Sequence, residues 1–194
     1  MAGSLHLSGV AEADALLGHD PLALLIGMLL DQQVPMEWAF RSPYDLKQRL
    51  GDRLDAAEIA AFDPDALAEV FAGPPALHRF PKSMAARTQQ LCEQLMENFD
   101  GSATAVWESA ATGEELFANL KALPGFGEQK ARIFLALLAK RLGVKPAGWQ
   151  EAAEPYGADG YKSVADIDSP EALVRVRDHK KAMKAAAKAA ASTS

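Results

Sequence analysis

Apolar residues recur at three- and four-residue spacing along most of this chain, which is the pattern of amphipathic helices. Nowhere do β-branched residues alternate with polar ones over a sustained stretch, as they would in a half-buried strand. Asp-Pro and Ser-Pro pairs mark helix starts, and glycines mark helix ends. Together with the apolar spacing, these signals predict helices over residues 22–33, 43–50, 55–61, 63–71, 83–99, 114–120, 128–142 and from 169 onward. We therefore expect an all-α fold, with residues 147–168 as its least regular part.

The most apolar of these segments is residues 22–30. Asp20 and Pro21 precede it as an N-cap and a first helical residue. Because the segment is apolar on nearly all sides, we expect a buried central helix that ends abruptly at three polar residues, Asp31, Gln32 and Gln33. The apolar run is far shorter than the roughly 20 residues that cross a bilayer, so no membrane span is predicted.

Composition narrows the class of protein. The 194 residues are 49% apolar and 24% charged, which suits one domain or two packed lobes with a sizeable core. Cys92 is the single cysteine, which excludes an internal disulfide, a four-cysteine zinc site and a cysteine-ligated iron–sulfur cluster. The four histidines show no ligand spacing, so we expect no cofactor. The N-terminus lacks the features of a secretory signal, and a cytoplasmic protein is expected.

Charge is distributed unevenly along the chain. The net charge is −6, but residues 121–146 carry +5 and residues 175–194 carry another +5. The rest of the chain therefore carries −16. An acidic body with two basic segments can orient on a polyanion, although solvated helix faces would give the same pattern.

The most informative segment is Leu-Lys-Ala-Leu-Pro-Gly-Phe-Gly-Glu-Gln-Lys-Ala-Arg-Ile-Phe, residues 120–134. Gly125 and Gly127 flank one apolar residue between two predicted helices. Glycines allow a sharp turn and bring main-chain N–H groups close to an external surface. These groups lie at the start of a helix, where an anion such as phosphate is favoured, and Lys130 and Arg132 could add charge. A simple turn with a helix cap is the alternative interpretation.

The complete segment resembles the helix–hairpin–helix motif, here over residues 115–142. Leu29-Leu30-Asp31-Gln32-Gln33 likewise looks like the Leu-x-x-Gln-Gln segment of the helix–hairpin–helix DNA glycosylases. The resemblance implies a two-lobed helical domain over residues 1–174, followed by a basic tail over 175–194. It also implies double-stranded DNA, damaged or mismatched, as the partner, and a target base that is flipped out of the stack.

The resemblance assigns roles to individual residues as well. Gln33 would fill the gap left by the flipped base, and backbone carbonyls around Leu123 and Gly125 would hold a monovalent cation. The residues expected to contact DNA are Gln32, Gln33, Leu123, Gly125, Phe126, Gly127, Gln129, Lys130 and Arg132.

Two family positions differ in this chain. Bifunctional members carry a lysine where Gln129 stands, and Lys130 is turned from that position by about 100°, so strand-nicking lyase activity is not expected. The family's catalytic aspartate would fall at Ala147. Since cleavage of a glycosidic bond needs a carboxylate near the sugar, the candidates are Glu151 and Asp31, for which surface or capping roles are the alternatives.

Three hypotheses therefore remain from the sequence. The first is a monofunctional DNA glycosylase of base excision repair. The second is a catalytically inactive DNA-binding or damage-sensing protein of the same fold. The third is a helical protein-interaction domain whose acidic body binds a partner.

Overall fold

The computed structural model describes residues 5–191, and within that range the chain is helical and contains no strand. The expected all-α class is confirmed. The first four residues, on which the expectation about a secretory signal partly rests, and the last three of the predicted tail lie outside the described residues. The helices are α1 Ala11–His19, α2 Pro21–Leu30, α3 Met36–Arg49, α4 Ala56–Ala60, α5 Pro64–Ala72, α6 Pro81–Phe99, α7 Ala105–Glu108, α8 Gly113–Ala122, α9 Glu128–Arg141, α10 Trp149–Ala152 and α11 Pro170–Ala191, with a 3₁₀ helix at Val164–Asp166.

Aspartate N-caps start several helices where the sequence predicts them. The Asp20 carboxylate accepts hydrogen bonds from the backbone N–H groups of Leu22 and Ala23, with Pro21 at the first position of α2. Asp63 caps α5 in the same way. Each cap satisfies N–H groups that have no partner within the helix.

Helix α2 is the centre of one group of helices. Every α2 residue after Pro21 is buried, as the sequence predicts, and α2 packs against α1, α3 and α6. Helices α4 and α5 pack on α6. Further along the chain, α8 packs on α9 and α10, and the 3₁₀ helix joins α9 to α11. The resulting core buries side chains from both groups.

The ends of two helices differ from the sequence-based expectation. Helix α2 ends at Leu30, so the two glutamines lie in the turn that follows. Helix α3 begins at Met36, with Pro43 inside it and not at its start. An internal proline loses one backbone hydrogen bond, but Pro43 is buried, and core packing outweighs that local cost. The periodicity did not predict helices α1, α7 and α10, the last of which lies within the stretch expected to be least regular.

No single helix within residues 5–191 has the length and apolar character needed to cross a membrane. The pair α1 and α2 meets that test only when taken together across a bend of 115°. Helix α2 is buried among other helices of the fold.

Candidate functional site

The predicted glycine turn joins α8 to α9 and occupies residues 123–127. Gly125 has a φ of +78°, in the left-handed region that favours glycine. A Cβ at this position would also lie 2.4 Å from Cδ1 of Leu29, near the end of α2. Gly125 is therefore required both by the turn and by the close approach of the α8–α9 hairpin to α2.

Gly127 has a different environment. It is the N-cap of α9, with φ −73° and ψ 173°, which any residue can adopt. A Cβ there would have no heavy atom within 4 Å, and no side chain caps the helix. The first turn of α9 therefore presents its N–H groups to an open surface, the arrangement that favours an anion.

The apolar residues of the hairpin are part of the core. Leu123 and Phe126 are 2% and 3% exposed, and Ala131 is fully buried. The Phe126 and Phe134 rings meet edge to face at 5.8 Å. Leu123 and Phe126 can thus offer an external ligand only their backbone. The Leu123 carbonyl accepts the Phe126 N–H at 3.1 Å, which leaves one lone pair for the predicted monovalent cation.

Lys130 points into the fold. Its ammonium donates hydrogen bonds to the carbonyls of Met28 and Leu29, at 2.7 and 2.9 Å, and so caps the end of α2. Burial lowers the pKa of Lys130 to about 8, while the neighbouring carboxylate of Asp31 opposes that shift. The hairpin and the end of α2 are therefore joined both by packing at Gly125 and by this lysine.

The other polar hairpin residues also have partners within the protein. Gln129 donates to the hydroxyl of Tyr156 at 2.8 Å. Arg132 donates to the Ala152 carbonyl at 3.1 Å and pairs with Glu128 at 3.0 Å. These contacts hold the outer side of α9 against the segment that follows α10.

The turn after α2 carries both glutamines. The Gln32 side chain donates to the Leu29 carbonyl at 2.8 Å and accepts from Arg87 of α6 at 3.2 Å. The buried His78 ring donates from Nε2 to the Gln32 carbonyl at 2.9 Å. Gln33 is exposed and has a φ of +57°, an uncommon conformation for a residue with a side chain. Gln32 is thus fixed, and Gln33 projects from a strained turn.

Asp31 lies between two lysines. Its side chain is 15% exposed, and Lys180 of α11 reaches to 4.0 Å from Oδ2. Burial raises the pKa of the Asp31 carboxyl above its usual range, while the charges of Lys180 and Lys130 oppose that shift. Environments that move the pKa values of a carboxyl and an amine toward each other are typical of functional sites, although structural ion pairs show them too.

Glu151, the other candidate carboxylate, lies elsewhere. It is exposed on α10 and lines a cavity of about 500 Å³ together with Thr112, Phe117 and Arg132. Asp31 lines a different cavity, of about 560 Å³, between the α2–α3 turn and α11. The structure therefore brings Asp31, Gln32 and the hairpin together, and it leaves Glu151 outside that group.

Sequence reasoning missed three neighbours of this site: Arg87, His78 and Lys180. Arg87 and His78 carry no spacing signal that would link them to Gln32. Lys180 belongs to the basic tail identified from charge, but only the fold shows that it faces Asp31. No group of three or more His, Cys, Asp or Glu side chains suited to a metal ion occurs in the part of the chain that the structure describes.

Comparisons of the chain with protein-family models, with curated proteins and with solved structures found no match.

Proposed function

We propose that this protein binds duplex DNA through the α8–α9 hairpin and acts as a monofunctional DNA glycosylase, with Gln33 filling the place of a displaced base. The observation that carries the proposal is the contact between two segments about 90 residues apart. Gly125 packs on Leu29, and Lys130 caps the helix that ends at the glutamine turn. These are the two segments in which the sequence resembles the glycosylases.

The hairpin supplies the backbone contact in this proposal. The uncapped and open start of α9 at Gly127 can receive one DNA phosphate on its N–H groups. Such contacts fix the protein on the duplex but do not read the base sequence. Recognition of a particular base would fall to the surface around the exposed Gln33.

Asp31 is the carboxylate that best fits the chemistry. It lies directly before the two glutamines and in the electrostatic field of Lys130, which is on the hairpin helix. Glu151 has no comparable contact with the α2–α3 turn. The Lys130 amine is engaged by two carbonyls, so the proposal gives it no nucleophilic role and predicts base release without strand cleavage.

Release of free base is the direct test. The protein would be incubated with duplexes carrying uracil, hypoxanthine, alkylated purines, oxidised pyrimidines or 8-oxoguanine, each scored with and without alkali. We expect strand breaks that appear only after alkali treatment. Asp31→Asn should abolish them, and Glu151→Gln should leave them unchanged. Loss of activity in Glu151→Gln alone would contradict the assignment of Asp31.

A second candidate function is DNA binding without catalysis. The Asp31 side chain is 15% exposed, and its Oδ2 lies 4.0 Å from the Lys180 ammonium. This arrangement favours DNA binding without catalysis, because a covered carboxylate has limited access to a sugar. Salt-dependent binding to every duplex without base release from any of them would support this function. Absence of duplex binding would refute both DNA functions and leave the protein-interaction domain.

A further inference from the structure

Helix α11 is attached to the fold through its first half only. Ala172 and Val176 are buried, whereas each side chain from 177 to 186 is exposed. Core packing therefore stabilises the start of the helix, and no buried side chain stabilises residues 177–186.

The exposed half carries a row of positive charges. One side of the helix carries four cations that form pairs three or four residues apart: Arg177, Lys180, Lys181 and Lys184. We call these four residues the cationic face of α11. Asp178 is the one acidic residue within the same stretch, 177–184.

Two of the four cations hold the helix beside the candidate site. Arg177 pairs with Glu37 of α3 at 3.2 Å, and Lys180 approaches Asp31 at 4.0 Å. Arg177, Lys180 and Lys181 line the 560 Å³ cavity with the turn that contains Gln33. The cationic face thus adjoins the surface to which the proposed function brings a DNA duplex.

The other two cations have no carboxylate partner. Among residues 5–191, no Asp or Glu oxygen lies within 4.0 Å of the Lys181 or Lys184 ammonium. Strongly hydrated ammonium groups that have no carboxylate partner are suited to neutralising the phosphates of a nucleic acid backbone. The remainder of the chain carries −16 outside its two basic segments and would repel DNA elsewhere.

We propose that the cationic face of α11 is a second DNA-binding surface, on which Lys181 and Lys184 each neutralise a phosphate beside the α2–α3 turn. Arg177 and Lys180 then act as positioning residues that fix the helix on the α2–α3 turn. The inference rests on the proposed function, since it requires that the chain bind DNA.

The salt dependence of binding measures these contacts directly. Each phosphate neutralised adds about 0.9 to the slope of log K against log salt concentration, so Lys181→Ala with Lys184→Ala should reduce the slope by about 1.8. Between about 50 and 200 mM salt, the double variant should therefore lose about 12-fold less affinity than the parent protein. Fluorescence anisotropy with a labelled undamaged duplex gives both curves.

The control removes two positive charges outside both basic segments, through Lys47→Ala with Arg53→Ala. Lys47 is near the end of α3 and Arg53 follows that helix, both at the opposite end of α3 from the candidate site. We expect the control to keep the parent slope. If the parent binds DNA but the α11 variant keeps the parent slope, the second surface is refuted. A reduction of the slope in the control equal to that in the α11 variant would refute it as well. A parent protein that fails to bind at low salt would overturn the proposed function and this inference with it.

Discussion

Lys130 allows a quantitative test of how the hairpin is joined to α2. Its amine lies on the carbonyls of Met28 and Leu29, and burial lowers its pKa to about 8 from the ordinary value of 10.5. A difference of this size corresponds to about 3 kcal/mol between the two protonation states. At pH 7 the amine is charged in both the folded and the unfolded chain, so burial of the charge lowers the free energy of unfolding by that full amount.

The direction of the pH dependence follows from the lowered pKa. Between pH 8 and 10.5 the folded protein has released this proton while the unfolded chain still holds it, so the free energy of unfolding should rise with pH. Lys130→Met removes the titrating group. The stability of the parent relative to this variant should therefore increase by about 3 kcal/mol from pH 7 to pH 10.5, because other titrating groups contribute equally to both proteins.

Urea unfolding followed by circular dichroism at several pH values gives this difference directly. Lys145→Met, which replaces an exposed lysine, serves as the control. The stability of the parent relative to Lys145→Met should stay the same from pH 7 to pH 10.5. A difference in stability between parent and Lys130→Met that stays constant from pH 7 to 10.5 would contradict the burial of the Lys130 amine. The amine would then be solvated, and Lys130 would not join the hairpin to α2.

Two further predictions concern the packing around the site. Gly125→Ala should destabilise the protein by about 1–3 kcal/mol more than Gly143→Ala in urea unfolding. Both positions have left-handed φ angles, but only at Gly125 would the added Cβ clash with Leu29. Equal losses of stability in the two variants would contradict the close contact. Asp166→Asn should cost about 3–5 kcal/mol, because it removes the negative charge that pairs with the buried Lys140 at 2.6 Å and one of the two acceptor oxygens of Asp166. Asp168→Asn, at a 61% exposed carboxylate, should cost at most about 1 kcal/mol. Similar losses in these two variants would contradict the burial of the Lys140–Asp166 pair.

Local signals predicted much of the helical framework. Asp20-Pro21 and Asp63-Pro64 start helices because a carboxylate cap and a proline act within one turn. Pro43 misled the same reasoning, since its place inside α3 depends on packing against distant residues. The short helix α7 has too few residues for its periodicity to be recognised.

The candidate site was predictable in part. The glycine turn and the two glutamines stand out in the sequence, and the resemblance associates them. The inward direction of Lys130 was not predictable, because it depends on carbonyls at the end of a helix about 100 residues earlier. The approach of Lys180 to Asp31 likewise joins residues at opposite ends of the chain, which one sequence alone does not show.

Two variants at Gly127 decide whether the open start of α9 receives a DNA phosphate. Gly127→Asp and Gly127→Asn add side chains of nearly equal shape where there is open space, and both are favourable N-caps, so both variants should fold. They differ in one negative charge at the proposed phosphate position. At about 50 mM salt, Gly127→Asp should bind a labelled duplex at least about tenfold more weakly than Gly127→Asn, and the difference should shrink as salt is added. Equal affinities for the two folded variants would contradict phosphate binding at this position.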